Sequence, residues 1–254
     1  VITREDRDAF VAQAHARAVR KVARSVGKAT LVVGAGFWGL FLVVTVAVPL
    51  VVDQAGGVMG GGVMTGAEYA VPWFALSLGT ISVGAILTTH VSAGGTRRAM
   101  YVGALGAVLV SGVAYGVLHV LLLLAERSLF GALGWEWDQL GSSLEPGGTW
   151  TVVTGAATAI SVAVYMLVGM AVVASFQTSG LWRGVLLLLP GLALLVLVDV
   201  ATGSGAFDDA FSGLLPGDGD LPAVVGLPAG LALLALAAAW LWWQLRGLRL
   251  RPAR

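Results

Sequence analysis

Few residues in this 254-residue chain could do chemistry. The chain has no cysteine, which excludes disulfides, thiolate metal sites and a cysteine nucleophile. Its three histidines and 14 acids form no carboxylate pair, metal-ligand cluster or nucleophile–base set on a common face. The sequence therefore predicts no catalytic residue, no metal ligand and no cofactor of its own, and we expect that the chain is not an enzyme.

Two short matches to phosphate-binding motifs fail in their context. Gly34, Gly36 and Gly39 fit the G-x-G-x-x-G pattern but lie inside an apolar run, and the acid expected about 20 residues later is missing. Gly27-Lys28 lacks the earlier glycine and the following hydroxyl residue of a phosphate-binding loop. These glycines are better explained as small residues that let helices approach closely.

Composition indicates a membrane protein. Hydrophobic residues make up 57% of the chain and charged residues 11%, with a mean hydropathy of +0.88. A soluble domain carries about 25% charged residues. Apolar runs of about 20 residues, the length that spans a bilayer, separate blocks of polar residues. The net charge of +1 argues against a nucleic-acid partner.

The apolar runs predict an all-α integral membrane protein with six transmembrane helices, because lipid requires every backbone group to be paired internally. The expected spans are about 29–52, 70–90, 100–124, 150–174, 184–200 and 221–245. With the N-terminus in the cytoplasm, 14 of the 15 Lys and Arg residues lie inside, and 11 of the 14 acids lie outside or at the outer ends of spans. We therefore predict that both termini are cytoplasmic and that the chain resides in a bacterial inner (plasma) membrane.

The segment before the first span is expected to be a separate element. Thr3 and Asp6 fit a helix-capping box, and apolar residues recur at helical spacing over 3–27. We predict a cytoplasmic amphipathic helix over 1–28 that lies along the lipid headgroups, a transmembrane domain over 29–245 and a basic tail over 246–254. A simple topology anchor is the alternative. The basic residues of this helix include Arg17, Arg20, Lys21 and Arg24.

Ionisable residues within the spans are candidates for function, because burying them in hydrocarbon is costly. His90 and Asp199 lie near span ends and are expected to reach the interface, whereas His119 lies deepest. A neutral imidazole bonded to a neighbouring helix and a proton relay both stay open for His119. Small residues at four-residue spacing in spans three and four predict close packing within one subunit or across a dimer.

The outer segments differ in character. Residues 54–66 are glycine-rich and are expected to be flexible. Residues 126–149 mix tryptophans, leucines and acids, which predicts a segment lying in the outer interface. Residues 201–220 are expected to hold a short interfacial helix.

Two cytoplasmic turns have a distinctive composition. The first joins spans two and three and predicts a tight basic turn that starts a helix. Its candidate residues are Gly94, Gly95, Thr96, Arg97 and Arg98. The second joins spans four and five and contains Gly180, Trp182, Arg183 and Gly184. Ordinary positive-inside loop chemistry is the alternative for both turns.

At these two turns the chain resembles the six-span permease subunits of bacterial type-2 ATP-binding-cassette exporters. Gly94, Thr96, Arg97 and Arg98 match a Gly-x-Thr/Ser-Arg-Arg turn of that family. The turn around Gly180 echoes a second family motif, with its order disturbed by Leu181, and the long 126–149 segment departs from the family pattern. The resemblance implies that the first turn and the N-terminal helix dock on a separate ATPase, which binds ATP and magnesium.

The resemblance also implies a second permease, the same or related, that completes the pathway. The expected function is a permease subunit of an exporter, embedded among membrane lipids. Two alternatives stay open. One is a non-transporting membrane scaffold or sensor accessory, and the other is an ion-coupled carrier that uses His119. Carriers of that kind usually show internal repeats and interrupted helices, for which Pro190-Gly191 is the candidate break.

Overall fold

The structure is a computed structural model that describes residues 3–137, 148–203, 207 and 221–247. All regular secondary structure in these ranges is α-helical. The described helices are α1 Arg4–Gln54, α2 Thr65–Ser92, α3 Arg97–Leu133, α4 Gly148–Leu186, α5 Leu188–Thr202 and α6 Ala223–Arg246.

All of these helices except α5 are long and apolar enough to cross a membrane. α5 has 15 residues and a length of about 22 Å, which is less than the roughly 30 Å of a bilayer core. The expected fifth span, 184–200, therefore begins in the last turn of α4 and continues in the shorter α5. The prediction of an all-α protein is confirmed for the described residues, and their five long apolar helices are compatible with a multi-pass membrane protein.

The prediction of a separate N-terminal helix is wrong. α1 runs for 51 residues from Arg4 to Gln54, so residues 3–27 and the first apolar run belong to one rod of about 76 Å. Val22 and Val26 are buried, and a Cβ at Gly103 of α3 would lie 2.7 Å from the Cβ of Val22. α1 therefore continues along the bundle axis, because it is already packed on α3 before its apolar run begins.

α4 is the central helix of the bundle. It packs against α2, α3, α5 and α6, whereas α1 packs mainly against α3. In the most apolar window of each helix, 78% of α4 but only 17% of α1 is buried. Much of the apolar surface of α1 is therefore left exposed in the single chain.

Contacts between helices fix their directions. Val22 of α1 lies against Gly103 of α3, and eight residues later Thr30 accepts a hydrogen bond from Tyr115 at 3.2 Å. Because the residue numbers of these contacts rise together on both helices, α1 and α3 are parallel. α4 runs antiparallel to α3, and α6 ends where Arg97 Nη1 donates to the carbonyl of Arg246 at 3.1 Å. We call this end of the bundle the basic end. It contains Arg97, Arg98, Arg183 and Arg246.

Small residues bring the helices together as predicted, within this one subunit. A Cβ at Gly112 of α3 would lie 2.6 Å from the carbonyl of Ala159 of α4, and one at Gly116 would clash with the carbonyl of Gly155. These four residues show that the spaced small residues of spans three and four face each other. Such close approach is a common basis of helix association in membranes.

The outer segment departs from the prediction at its start. α3 continues as far as Leu133 and is closed by Gly134 in the left-handed conformation, with φ +70°. Residues 126–133 are therefore a continuation of a span rather than a separate interfacial segment. Residues 138–147, 204–206 and 208–220 lie outside the described residues, as do the last seven of the basic tail.

Candidate functional site

The first predicted turn is compact and bonded on both sides. Gly94 has φ +78°, which favours glycine, and the N–H of Gly95 donates to the carbonyl of His90 at 2.9 Å. Thr96 caps α3 by accepting from the N–H of Ala99 at 3.1 Å. The Nε2 of His90 lies 3.2 Å from the carbonyl of Thr96. The prediction that this hydroxyl starts a helix after a tight turn is confirmed.

The same turn is connected to the last helix of the bundle. Arg97 donates to the carbonyl of Arg246, and the ring of Tyr101 lies 5.2 Å from that of Trp242. Arg97 and Arg98 are exposed. The end of α2, the start of α3 and the end of α6 therefore meet at a small surface that carries positive charge.

The predicted basic residues of the N-terminal segment lie on one face of α1. Arg17, Arg20, Lys21 and Arg24 line a shallow groove of about 510 Å³, together with Ser25 and Lys28. Spacings of three and four residues place them on one side of the helix. They are exposed, whereas Val22 and Val26 on the other side are buried against α3.

The second predicted turn separates the body of α4 from its last residues. Gly180 has φ 77° and ψ 179°, a combination that is essentially restricted to glycine. Beyond it Trp182 is 83% exposed and Arg183 is also exposed. Gly184 packs on the ring of Phe176, whose nearest atom would lie 2.5 Å from an added Cβ. This turn lies at the basic end with the first turn, because α4 runs antiparallel to α3.

His119 forms a hydrogen bond to a neighbouring helix, which is one of the two roles expected for it. Its Nδ1 lies 2.8 Å from Oγ1 of Thr158 in α4, and that hydroxyl donates to the carbonyl of Thr154. The imidazole therefore donates through Nδ1–H, which leaves Nε2 as an acceptor. Nε2 is buried without a hydrogen-bond partner in the structure, as is the Nε1 of Trp38, whose ring lies 6.3 Å away.

Asp199 is buried rather than interfacial, contrary to the prediction. Tyr165 of α4 donates to its Oδ2 at 2.7 Å, and the N–H of Phe207 donates to the same oxygen at 3.3 Å. Trp73 of α2 contacts the rings of both partners, at 5.8 and 5.9 Å. The carboxylate therefore links α4 and α5 to Phe207, which lies five residues beyond the end of α5.

Sequence reasoning missed Glu126 as a buried group. It is 1% exposed and accepts from the N–H of Met64 at 3.1 Å and from Nε1 of Trp137 at 3.2 Å. Gly62 lies so close to this carboxylate that a side chain there would clash. The glycine-rich segment 54–66 is therefore packed against the bundle at its end. Its only sequence signal was an acid directly after the third apolar run.

In the part of the chain that the structure describes, the protein is thus an all-α helix bundle with a basic end and five helices long and apolar enough to cross a membrane. Within the ranges that the structure describes, no group of three or more His, Asp or Glu side chains could hold a metal ion. No family model, curated protein or solved structure matches the chain.

Proposed function

We propose that this chain is the membrane-spanning permease subunit of an ATP-binding-cassette exporter, driven by a separate cytoplasmic ATPase. A second permease, identical or related, would complete the pathway. ATP and magnesium would bind to the ATPase and not to this chain.

The main structural support for this proposal is the turn from Gly94 to Arg98. It is bonded to α2 through His90, begins α3 through Thr96 and contacts α6 through Arg97. A force applied by a partner at this turn would therefore reach helices that belong to different parts of the bundle. Alternating access requires groups of helices to move against one another, and a contact that joins several helices is a place where a partner would bias that movement.

The proposal includes a topology of six spans with both termini cytoplasmic, in a bacterial inner membrane. The basic end would face the cytoplasm, because Lys and Arg accumulate on that side of membrane proteins. α5 and the last turn of α4 would together form the short fifth crossing. Gly180, Trp182 and Arg183 would then be a second cytoplasmic contact, with Arg17, Arg20, Lys21 and Arg24 as further candidates for coupling.

The proposal is tested by solubilising the full chain from its native membranes in mild detergent, purifying it and identifying any ATP-binding-cassette ATPase that accompanies it. Arg98→Glu is the most informative variant, because Arg98 is exposed, whereas Arg97 also bonds to Arg246. We expect Arg98→Glu to lose the ATPase and any substrate-stimulated ATP hydrolysis. The purified variant should keep the thermal stability of the parent protein.

Arg127→Glu is the matched control, since Arg127 is exposed at the opposite end of α3. It should retain the ATPase. If no ATPase accompanies the parent protein, or if Arg98→Glu has no effect, the coupling proposal is wrong. The scaffold interpretation would then gain support.

A further inference from the structure

A second basic surface lies on α1, and its composition points to an anionic ligand. Five of the six residues that line the groove on α1 are cations, and none is an acid. Arginine recognises phosphate oxygens well, because its planar guanidinium can donate two parallel hydrogen bonds. We call this surface the α1 stripe. It consists of Arg17, Arg20, Lys21, Arg24, Ser25 and Lys28.

The packing of α1 on α3 fixes the depth of the α1 stripe. Val22 is level with Gly103. Gly27 is level with Ala107, because a Cβ added at Gly27 would lie 4.0 Å from the Cβ of Ala107. Arg17 is therefore level with Arg98, where α3 begins. Lys28 lies 11 residues further along the helix, or about 16 Å deeper.

The α1 stripe thus extends from the basic end past the level at which α3 becomes apolar. Val102 of α3, which is 42% exposed, is near the level of Lys21. In a bilayer this depth corresponds to the headgroup layer and the upper acyl region. Long basic side chains at such a depth extend towards the headgroups and keep their charge in a polar layer.

The direction of the α1 stripe is fixed as well. Val22 and Val26 are 1% and 0% exposed because they pack on α3. α1 cannot rotate about its axis without exposing them, so the stripe faces away from the bundle. Lipids can reach the α1 stripe along its whole length at this depth, whereas a cytoplasmic partner would approach it from the Arg17 end.

We propose that the α1 stripe is a binding site for anionic phospholipid headgroups in the leaflet at the basic end. The phosphates lie between the arginines, and the acyl chains cover the exposed apolar surface of α1 below. Each basic residue near an anionic membrane surface adds to the attraction, and the attraction is weakened by salt. The site needs no ATPase, so its test is independent of the proposed function.

The test uses the full chain in nanodiscs of phosphatidylcholine with phosphatidylglycerol as a minority lipid. Lipids that stay with the protein after transfer to detergent are identified by native mass spectrometry. We expect phosphatidylglycerol to be enriched over its share of the nanodisc. Arg20→Gln with Arg24→Gln should lower that enrichment by on the order of tenfold.

The matched control is Arg4→Gln with Arg7→Gln, which removes two exposed charges from the same helix beyond the level of α3. This control should keep the enrichment. The proposal is overturned if the parent protein shows no enrichment, or if the control loses as much as the Arg20 and Arg24 variant. Displacement of the lipid by millimolar inorganic phosphate would assign the site to free phosphate instead. Loss of a co-purifying ATPase with unchanged lipid enrichment would assign it to a protein partner.

Discussion

At the scale of single residues, Glu126 holds the segment before α2 in place. Its carboxylate is the acceptor for the backbone N–H of Met64 and for the indole of Trp137. Glu126→Ala would leave a buried N–H without a partner, which costs about 1–3 kcal/mol. We expect a lower melting temperature in detergent for this variant. Glu136→Ala, which removes an exposed acid ten residues later, should leave the melting temperature unchanged.

The capping box of α1 predicts a dependence on pH. The side-chain and backbone hydrogen bonds from Thr3 lower the pKa of Asp6 below its ordinary value of 3.8. Since the folded pKa is depressed, the cap stabilises the helix start above pH 3.8 and loses this effect as the pH falls through the folded pKa. The Asp6 and Arg7 amides donate to Thr3, so their protection factors in hydrogen exchange should fall towards one at low pH. Asp6→Asn should abolish this change, and Asp8→Asn should preserve it.

At the scale of helices, α2 and α4 cross at two glycines. A Cβ at Gly79 would clash with the carbonyl of Met166, and one at Gly169 with the carbonyl of Leu76. Gly79→Ala should destabilise the protein by about 1–3 kcal/mol, because the backbones would have to separate. Gly84→Ala is the control on the same helix, since nothing lies within 4 Å of its added Cβ. Unfolding in detergent by increasing amounts of dodecyl sulfate would compare the two, and equal losses would contradict the crossing described here.

The positions of the helices could be predicted from the sequence better than the helices against which each one packs. Apolar length locates spans, because lipid leaves a chain few alternatives to helix. The spacing of Gly112 and Gly116 marked a contact face but not the helix that it meets. The burial of Asp199 depends on Tyr165, 34 residues earlier. Only the arrangement of α4 and α5 brings the two together, so the interfacial position expected from a place near a span end was wrong.

At the candidate site, too, local features were predicted from the sequence and contacts between distant residues were not. Thr96 was predicted as a cap from its place before Arg97, since local hydrogen bonds follow local sequence. The contact between Arg97 and Arg246 joins residues 149 apart, and no local pattern carries that information. The continuity of α1 was missed because its basic half and its apolar half looked like two elements. Helices commonly continue through such a change when a neighbouring helix packs on both halves.

At the scale of the whole molecule, the topology can be tested by labelling introduced cysteines. The chain has no native cysteine, so each introduced thiol is the only one present. We expect Ala12→Cys and Ser179→Cys to react with a membrane-impermeant maleimide only after the membrane is permeabilised from the cytoplasmic side. Ser128→Cys, near the other end of α3, should react in intact cells. Labelling of Ala12→Cys and Ser128→Cys from the same side would contradict the proposed orientation.

The continuity of α1 has a mechanical consequence. Because α1 is continuous over about 76 Å, a tilt of about 5° about its outer end would displace Thr3 by roughly 7 Å. The same tilt would shift Trp38, which lies much nearer the pivot, by only about 2 Å. Small movements among the buried rings of α1 and α3 would therefore produce larger displacements at the exposed N-terminal end of α1.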